Sequence, residues 1–153
     1  MNSHTDMTPL SETDLKIIAE LQKDCRIPNA ELADRVGMST SACWRRVRAL
    51  EESGVIERFT VRLNPQKMGL EFHALVHVQL TRHAPDKIVD FMRAVEASPE
   101  VKECYATTGQ ADYHLRVLTK DIDAYNRFLE NFLFRLPAVS SAQTNVVLRT
   151  IKA

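Results

Sequence analysis

The stretch Asn29–Gly54, NAELADRVGMSTSACWRRVRALEESG, decides the fold of the first part of this chain. Leu32, Ala33 and Val36 share one face of a short helix that Pro28-Asn29 opens and Gly37 stops. Ser39 is placed to cap a second helix. In it Cys43, Val47 and Leu50 recur at i, i+4 and i+7 as one apolar stripe. Ser41, Trp44, Arg45 and Arg48 fall mostly on the opposite side, and Ser53-Gly54 ends the helix. A helix-turn-helix that reads DNA needs a short helix, a tight turn and a cation-rich second helix in this order.

Toward the N-terminus, residues 1–9 read as a flexible leader. Ser11-Glu12-Thr13-Asp14 resembles a capping box with Ser11 as N-cap and Asp14 in place of the usual Glu. Leu15, Ile18, Ala19 and Leu21 follow at helical spacing, so a first helix is expected to run to about Asp24. Downstream, Val55–Leu63 alternates, with Val55, Glu57, Phe59, Val61 and Leu63 against Ile56, Arg58, Thr60 and Arg62. That is a strand pattern, expected to form a two-stranded wing bent near Arg58. Asn64-Pro65 breaks the pattern. The expected organisation is a DNA-binding domain over 10–63, a hinge over 64–71 and a second domain over 72–153.

The second domain has another rhythm. Phe72–Thr81 alternates as a strand, and Asp86–Ala97 reads as a helix. Val101–Thr108 and Asp112–Thr119 read as strands separated at Gly109. Asp121–Leu136 reads as a helix and Val139–Ile151 as a last strand. The order βαββαβ predicts a ferredoxin-like sandwich, so the fold class is α+β with an N-terminal winged helix-turn-helix. Both faces of the Phe72 strand carry apolar residues. A partner subunit is the simplest cover for the face away from the helices, and Leu75, Leu115, Val117 and Val147 support a dimer.

Bulk composition narrows the function classes. The 153 residues are 44% hydrophobic and 26% charged with zero formal net charge, so DNA binding must come from local segregation of charge. From Thr40 to Leu63 five arginines face three acids, whereas Met1–Asp24 carries five acids and two lysines. No apolar run suits a bilayer, and MNSHTDMTPL lacks the features of a signal peptide. Cys25, Cys43 and Cys104 are scattered, which reads as reduced thiols in a cytoplasmic protein. No nucleophile elbow, P-loop or GxGxxG is present. The four glycines fall at structural breaks, so no catalytic residue, cofactor or metal is expected. His73 and His77 share a strand face that His114 joins across the sheet; packing between subunits explains them better than metal binding.

Taken together, the chain from Leu10 to Lys152 resembles the Lrp/AsnC, or feast/famine, family of regulators. The resemblance rests on LADRVGMSTSACWRRVRALEESGVI, on LNPQKMGL at the hinge and on CYATTGQADYHLRV. The last carries the family's Thr-Gly, two variable residues and Asp-Tyr. It implies a C-terminal domain that senses an amino acid and assembles dimers into larger rings, octamers in the family pattern. Trp44 departs from the pattern in bulk. Stacking on a sugar or a thymine methyl is one reading, and packing against the first helix is the expectation.

The candidate DNA contacts are Ser39, Thr40 and Ser41 at the helix N-terminus, then Trp44, Arg45, Arg46 and Arg48 along it, and Arg58 and Arg62 on the wing. Arg46 is tilted to the side, toward phosphate or an acid of the first helix. Without the resemblance, a solvated basic face explains the same residues. The candidate effector loop is Thr107, Thr108, Gly109, Gln110, Ala111, Asp112 and Tyr113. Exposed N–H groups near Gly109 suit a carboxylate and Asp112 suits an α-ammonium. A plain hairpin turn capped by Asp112 explains those residues alone. Leu133, Leu136 and Gln143–Asn145 are candidates for a side-chain subsite. The resulting reading is a cytoplasmic, sequence-specific transcriptional regulator. It acts as a homo-oligomer on a pseudo-palindromic duplex, without a membrane, and responds to an amino acid. The alternatives are an architectural DNA-wrapping protein and an enzyme with an amino-acid module.

Overall fold

The computed structural model describes residues 9–81 and 85–152; the expected leader lies, but for Pro9, outside the described residues. The chain forms two compact units, Met1–Arg62 and Leu63–Ala153.

Among the described residues, unit one holds three helices, α1 (Glu12–Lys23), α2 (Asn29–Val36) and α3 (Thr40–Glu52). The capping box is present: the Asp14 N–H donates to Ser11 Oγ, and the Ser11 N–H donates to Asp14 Oδ2 at 2.8 Å. Gly37 takes φ +70° between α2 and α3, a left-handed conformation open to glycine at little cost. It lets the Met38 N–H close the end of α2 on the Ala33 carbonyl. Ile17, Leu32, Ala33, Cys43 and Leu50 form the core, with Ile18, Leu21, Val36, Val47 and Ile56 packed against it. Ile17, absent from the periodic set read above, is fully buried, whereas Leu15 is exposed. The α1 face is therefore turned by one position from the expected one.

Two expectations in this unit concern the 55–63 segment and Trp44. Residues 57–64 have no strand, so the wing does not appear as a paired element. No turn residue lies between Val55 and Leu63 to fold a hairpin back. The apolar members Phe59, Val61 and Leu63 remain exposed. Trp44, expected to pack against α1, is 56% exposed and stands outside the unit's apolar core.

In unit two, a 3₁₀ turn (Gln66–Met68) precedes β1 (Phe72–Leu80), α4 (Pro85–Ala97), β2 (Val101–Ala106), β3 (Tyr113–Thr119), α5 (Ile122–Asn131), a second 3₁₀ turn (Leu133–Arg135) and β4 (Val139–Val146). The antiparallel sheet has order β2-β3-β1-β4, the ferredoxin-like arrangement. Ala74, Val76, Val78, Leu115 and Val117 point to the helices and pack with Phe91, Val95, Tyr125, Phe128 and Leu133. Leu115 and Val117 thus belong to the unit's own core and do not support a dimer face; Leu75, on the open face, is exposed. The expected helix Asp121–Leu136 is interrupted. Asp121 is its N-cap, Phe132 leaves helical geometry, and Leu136 is extended because Pro137 follows. The last strand stops at Val146, beyond which Leu148 and Ile151 are almost fully exposed.

Candidate functional sites: a recognition helix and a loop at the open sheet face

The outward face of α3 is built by its cap and its register. Ser39 is extended at the N-cap and accepts the Ala42 N–H on its Oγ, and Asn29 Nδ2 donates to the Thr40 carbonyl at 2.9 Å. These bonds fix the start of α3 against the start of α2. With Cys43 and Leu50 buried, Ser41, Trp44, Arg45 and Arg48 form the exposed stripe at i, i+3, i+4 and i+7. Arg48 lies 5.8 Å from the centroid of the Trp44 ring, a cation–π contact, and its Nε donates to Glu52 Oε1 at 3.2 Å. The structure therefore brings Ser39, Thr40, Ser41, Trp44, Arg45 and Arg48 onto one surface.

Arg46 is not part of that surface. Its Nε donates to Asp14 Oδ1 at 2.7 Å and its Nη2 to Ser11 Oγ at 2.6 Å, which joins α3 to the cap of α1. Of its two expected partners, phosphate or an acid of the first helix, the acid is present: the guanidinium serves a nearly buried carboxylate. Burial opposes the charge of Asp14, yet bonds from the Ser11 hydroxyl and amide and from Arg46 outweigh it and hold the carboxyl below the ordinary aspartate range. A second tie, Arg35 to both Glu20 and Glu31, was missed; the i, i+4 spacing of Glu31 and Arg35 was its only signal. Arg58 and Arg62 lie on the irregular segment and not on a wing strand.

The second site lies where the loop between β2 and β3 meets the open sheet face. The loop is closed by the Thr107 N–H donating to the Asp112 carbonyl and by Thr107 Oγ1 donating to the Ala111 carbonyl. Gly109 has φ +131°, which an L side chain rarely adopts. Asp112 Oδ2 accepts the Leu80 N–H at 2.7 Å, and the Asp112 N–H donates to the Val78 carbonyl. Leu80 sits where the β1–β4 register shifts, so the carboxylate satisfies a backbone donor near the irregularity. Gln79 completes the clamp: its Nε2 donates to the Gln110 carbonyl at 2.7 Å, and its Oε1 accepts from Ser141 Oγ.

Beside the loop is an open cavity of about 590 Å³. Of the expected effector residues, Thr108, Gln110, Ala111, Gln143 and Asn145 line it, together with His77, Gln79, His114, Ser141 and Ala142. Thr107, Gly109 and Asp112 shape the loop without lining the cavity. Tyr113 and Leu136 do not line the cavity; both pack against the helix-side core, Tyr113 with its ring 5.0 Å from that of Phe91. Leu133 is fully buried in the same core. His77 and His114 face each other directly across β1 and β3 with their Nδ1 atoms 2.6 Å apart, and Asn145 Nδ2 lies 2.9 Å from His77 Nε2. With Asn145 as donor, His77 carries its proton on Nδ1 and donates it to His114. Gln79 and His77 were missed as cavity residues; their signal was the polar alternation of β1, which names a face but not what borders it. Among the described residues no cluster of three His, Cys, Asp or Glu is placed to hold a metal.

Comparison with known proteins gives the family of both units. Residues 10–57 match the winged helix-turn-helix DNA-binding model, and residues 73–153 match the Lrp/AsnC ligand binding domain. The chain belongs to the Lrp/AsnC family. It is 41% identical to the leucine-responsive regulatory protein of Escherichia coli K12, over 94% of this chain and 87% of that one. It is 37% identical to the transcriptional regulator AzlB of Bacillus subtilis, over 94% and 91%. Among solved structures, a transcriptional regulator of Neisseria meningitidis in complex with L-Met superposes with a TM-score of 0.91 at 36% identity, covering 95% of this chain and 94% of that one. Lrp/AsnC proteins are DNA-binding transcriptional regulators with a ligand-binding domain, and not enzymes. Among the described residues no helix is long and apolar enough to cross a membrane.

Proposed function

We propose that this Lrp/AsnC regulator binds a free amino acid at the Thr107–Asp112 loop and its bordering cavity, and that binding alters how copies of the chain assemble on operator DNA. The observation that carries this reading is the clamped loop itself. A left-handed Gly109 and a polar cavity of about 590 Å³ meet at one edge of the open sheet face. The L-Met bound to the Neisseria relative supports the ligand class.

Loop N–H groups hold the ligand carboxylate. Thr108 and Gln110 approach it directly, and Asp112 keeps the loop in place. A second copy covers the open face around Leu75, and dimers assemble further to an octamer. Two copies of α3 then address a pseudo-palindromic duplex about one helical turn apart, with Arg45, Arg48, Arg58 and Arg62 against bases and phosphates. The setting is the cytoplasm. The two-state element is the assembly, with a coupling of about 1–3 kcal/mol between ligand and DNA.

A thermal-shift screen of the twenty amino acids tests this. One ligand, or a small related set, is expected to raise Tm by several degrees at about 100 times its Kd. It is also expected to change the sedimentation profile. No shift with any amino acid overturns the effector reading and leaves DNA binding standing; a flat preference across DNA sequences would then favour an architectural role.

A further inference from the structure

We propose that Trp44 reads sequence directly, by packing its indole against the C5-methyl group of a thymine in the major groove. The inference rests on α3 being the DNA-reading helix. The face that α3 turns to solvent is polar at Ser41, Arg45 and Arg48, yet it carries a 56% exposed indole among them. The inward stripe is already complete with Cys43, Val47 and Leu50, and Trp44 has no place in the unit's apolar core. Its exposed area contributes little to folding and becomes useful only against an outside surface.

The surroundings say which surface. Arg45 and Arg48 share the exposed stripe with the ring, and Ser39, Thr40 and Ser41 lie one turn earlier at the helix N-terminus. A partner must therefore be anionic over most of its contact area and apolar at one spot. A DNA major groove has that composition: phosphates line its edges, and the thymine methyl is the apolar group among the base edges it displays. The ring is also held in advance. Arg48 rests 5.8 Å from its centroid and is itself tied to Glu52, so less side-chain freedom is lost on docking.

The test uses the full chain and an operator duplex selected from a random pool. Each thymine of one half-site is replaced in turn by deoxyuridine, which deletes only the methyl. One position is expected to weaken wild-type binding about fourfold, the effect of one buried methyl group, while Trp44→Ala binds the thymine and uracil duplexes equally. Trp44 is the only tryptophan in the chain, so its emission is also expected to change on adding operator. The salt dependence of Trp44→Ala should match wild type, since no phosphate contact is removed. A uracil effect of equal size in both proteins, or no uracil effect in wild type, overturns the inference while DNA reading stands. Failure of wild type to prefer the selected duplex over a scrambled one overturns the recognition-helix reading, and this inference with it.

Discussion

The guanidinium of Arg46 meets the carboxylate of Asp14 at 2.7 Å, across 32 residues of sequence. An arginine in the middle of α3 is thereby a brace for the N-terminal cap of α1. Replacing Arg46 by Met should destabilise unit one by about 1–3 kcal/mol, because Asp14 keeps its burial and loses its charged partner. Trp44 fluorescence in a urea titration reports this unit. At temperatures where the variant is folded, the salt slope of DNA binding should equal that of wild type. A slope lowered by one would put Arg46 on a phosphate.

Asp14 also sets an acid limit. Its folded pKa lies below the ordinary value of 3.8, so the unfolded chain binds its proton more readily. The stabilisation is complete well above 3.8 and is lost as pH falls toward the lower folded value. The stability gap between wild type and Asp14→Asn, measured by urea midpoint, should shrink between about pH 6 and about pH 3. A gap that widens in acid would reverse the assignment.

Asp112, read in the sequence as an ammonium partner or as the cap of a plain hairpin turn, bonds the Leu80 amide. Asp112→Ala leaves the buried Leu80 N–H without its acceptor and should cost about 1–2 kcal/mol. Asp112→Asn keeps an acceptor and should recover most of it. The pair separates two roles. If Asp112→Asn is stable and still gains the full thermal shift from the effector, the charge does not hold an ammonium group.

The facing histidines give a spectroscopic prediction. Long-range ¹H–¹⁵N correlation at neutral pH should show His77 protonated on Nδ1 and His114 on Nε2, the tautomers that the 2.6 Å contact and Asn145 require. Asn145→Asp should leave His77 Nε2 facing an acceptor and shift its tautomer. Unchanged ring signals would detach Asn145 from the pair.

Arg45 and Arg62 are expected to act through phosphate. Alanine at either position should lower the magnitude of the salt slope by about one unit. An unchanged slope removes that residue from the contact surface.

Local pattern carried most of the fold. The Ser11–Asp14 cap, the Gly37 turn, the buried stripe of α3 and the alternation of β1 are all short-range signals, set by helical or strand period and by backbone geometry. The 55–63 segment was read as paired strands from alternation alone; residues 57–64 carry no strand here, because a strand is completed by a partner that local pattern does not supply. The interruption before Pro137 was legible in the residue type, but it was read as helix because Phe132 and Leu136 keep the apolar period.

The sequence by itself determined which residues face the same way: Ser41, Trp44, Arg45 and Arg48 outward on α3, and His73, Leu75, His77 and Gln79 on the open side of β1. Only the tertiary structure decided which of the long polar side chains were already engaged. Arg46 goes to Asp14, Asp112 to the Leu80 amide, and Gln79 to the Gln110 carbonyl and Ser141. The physical reason is reach. Periodicity fixes the direction of a Cβ, but a hydrogen bond is decided within a few tenths of an ångström by groups some 30 or more residues apart in the chain, placed together only when the cores close.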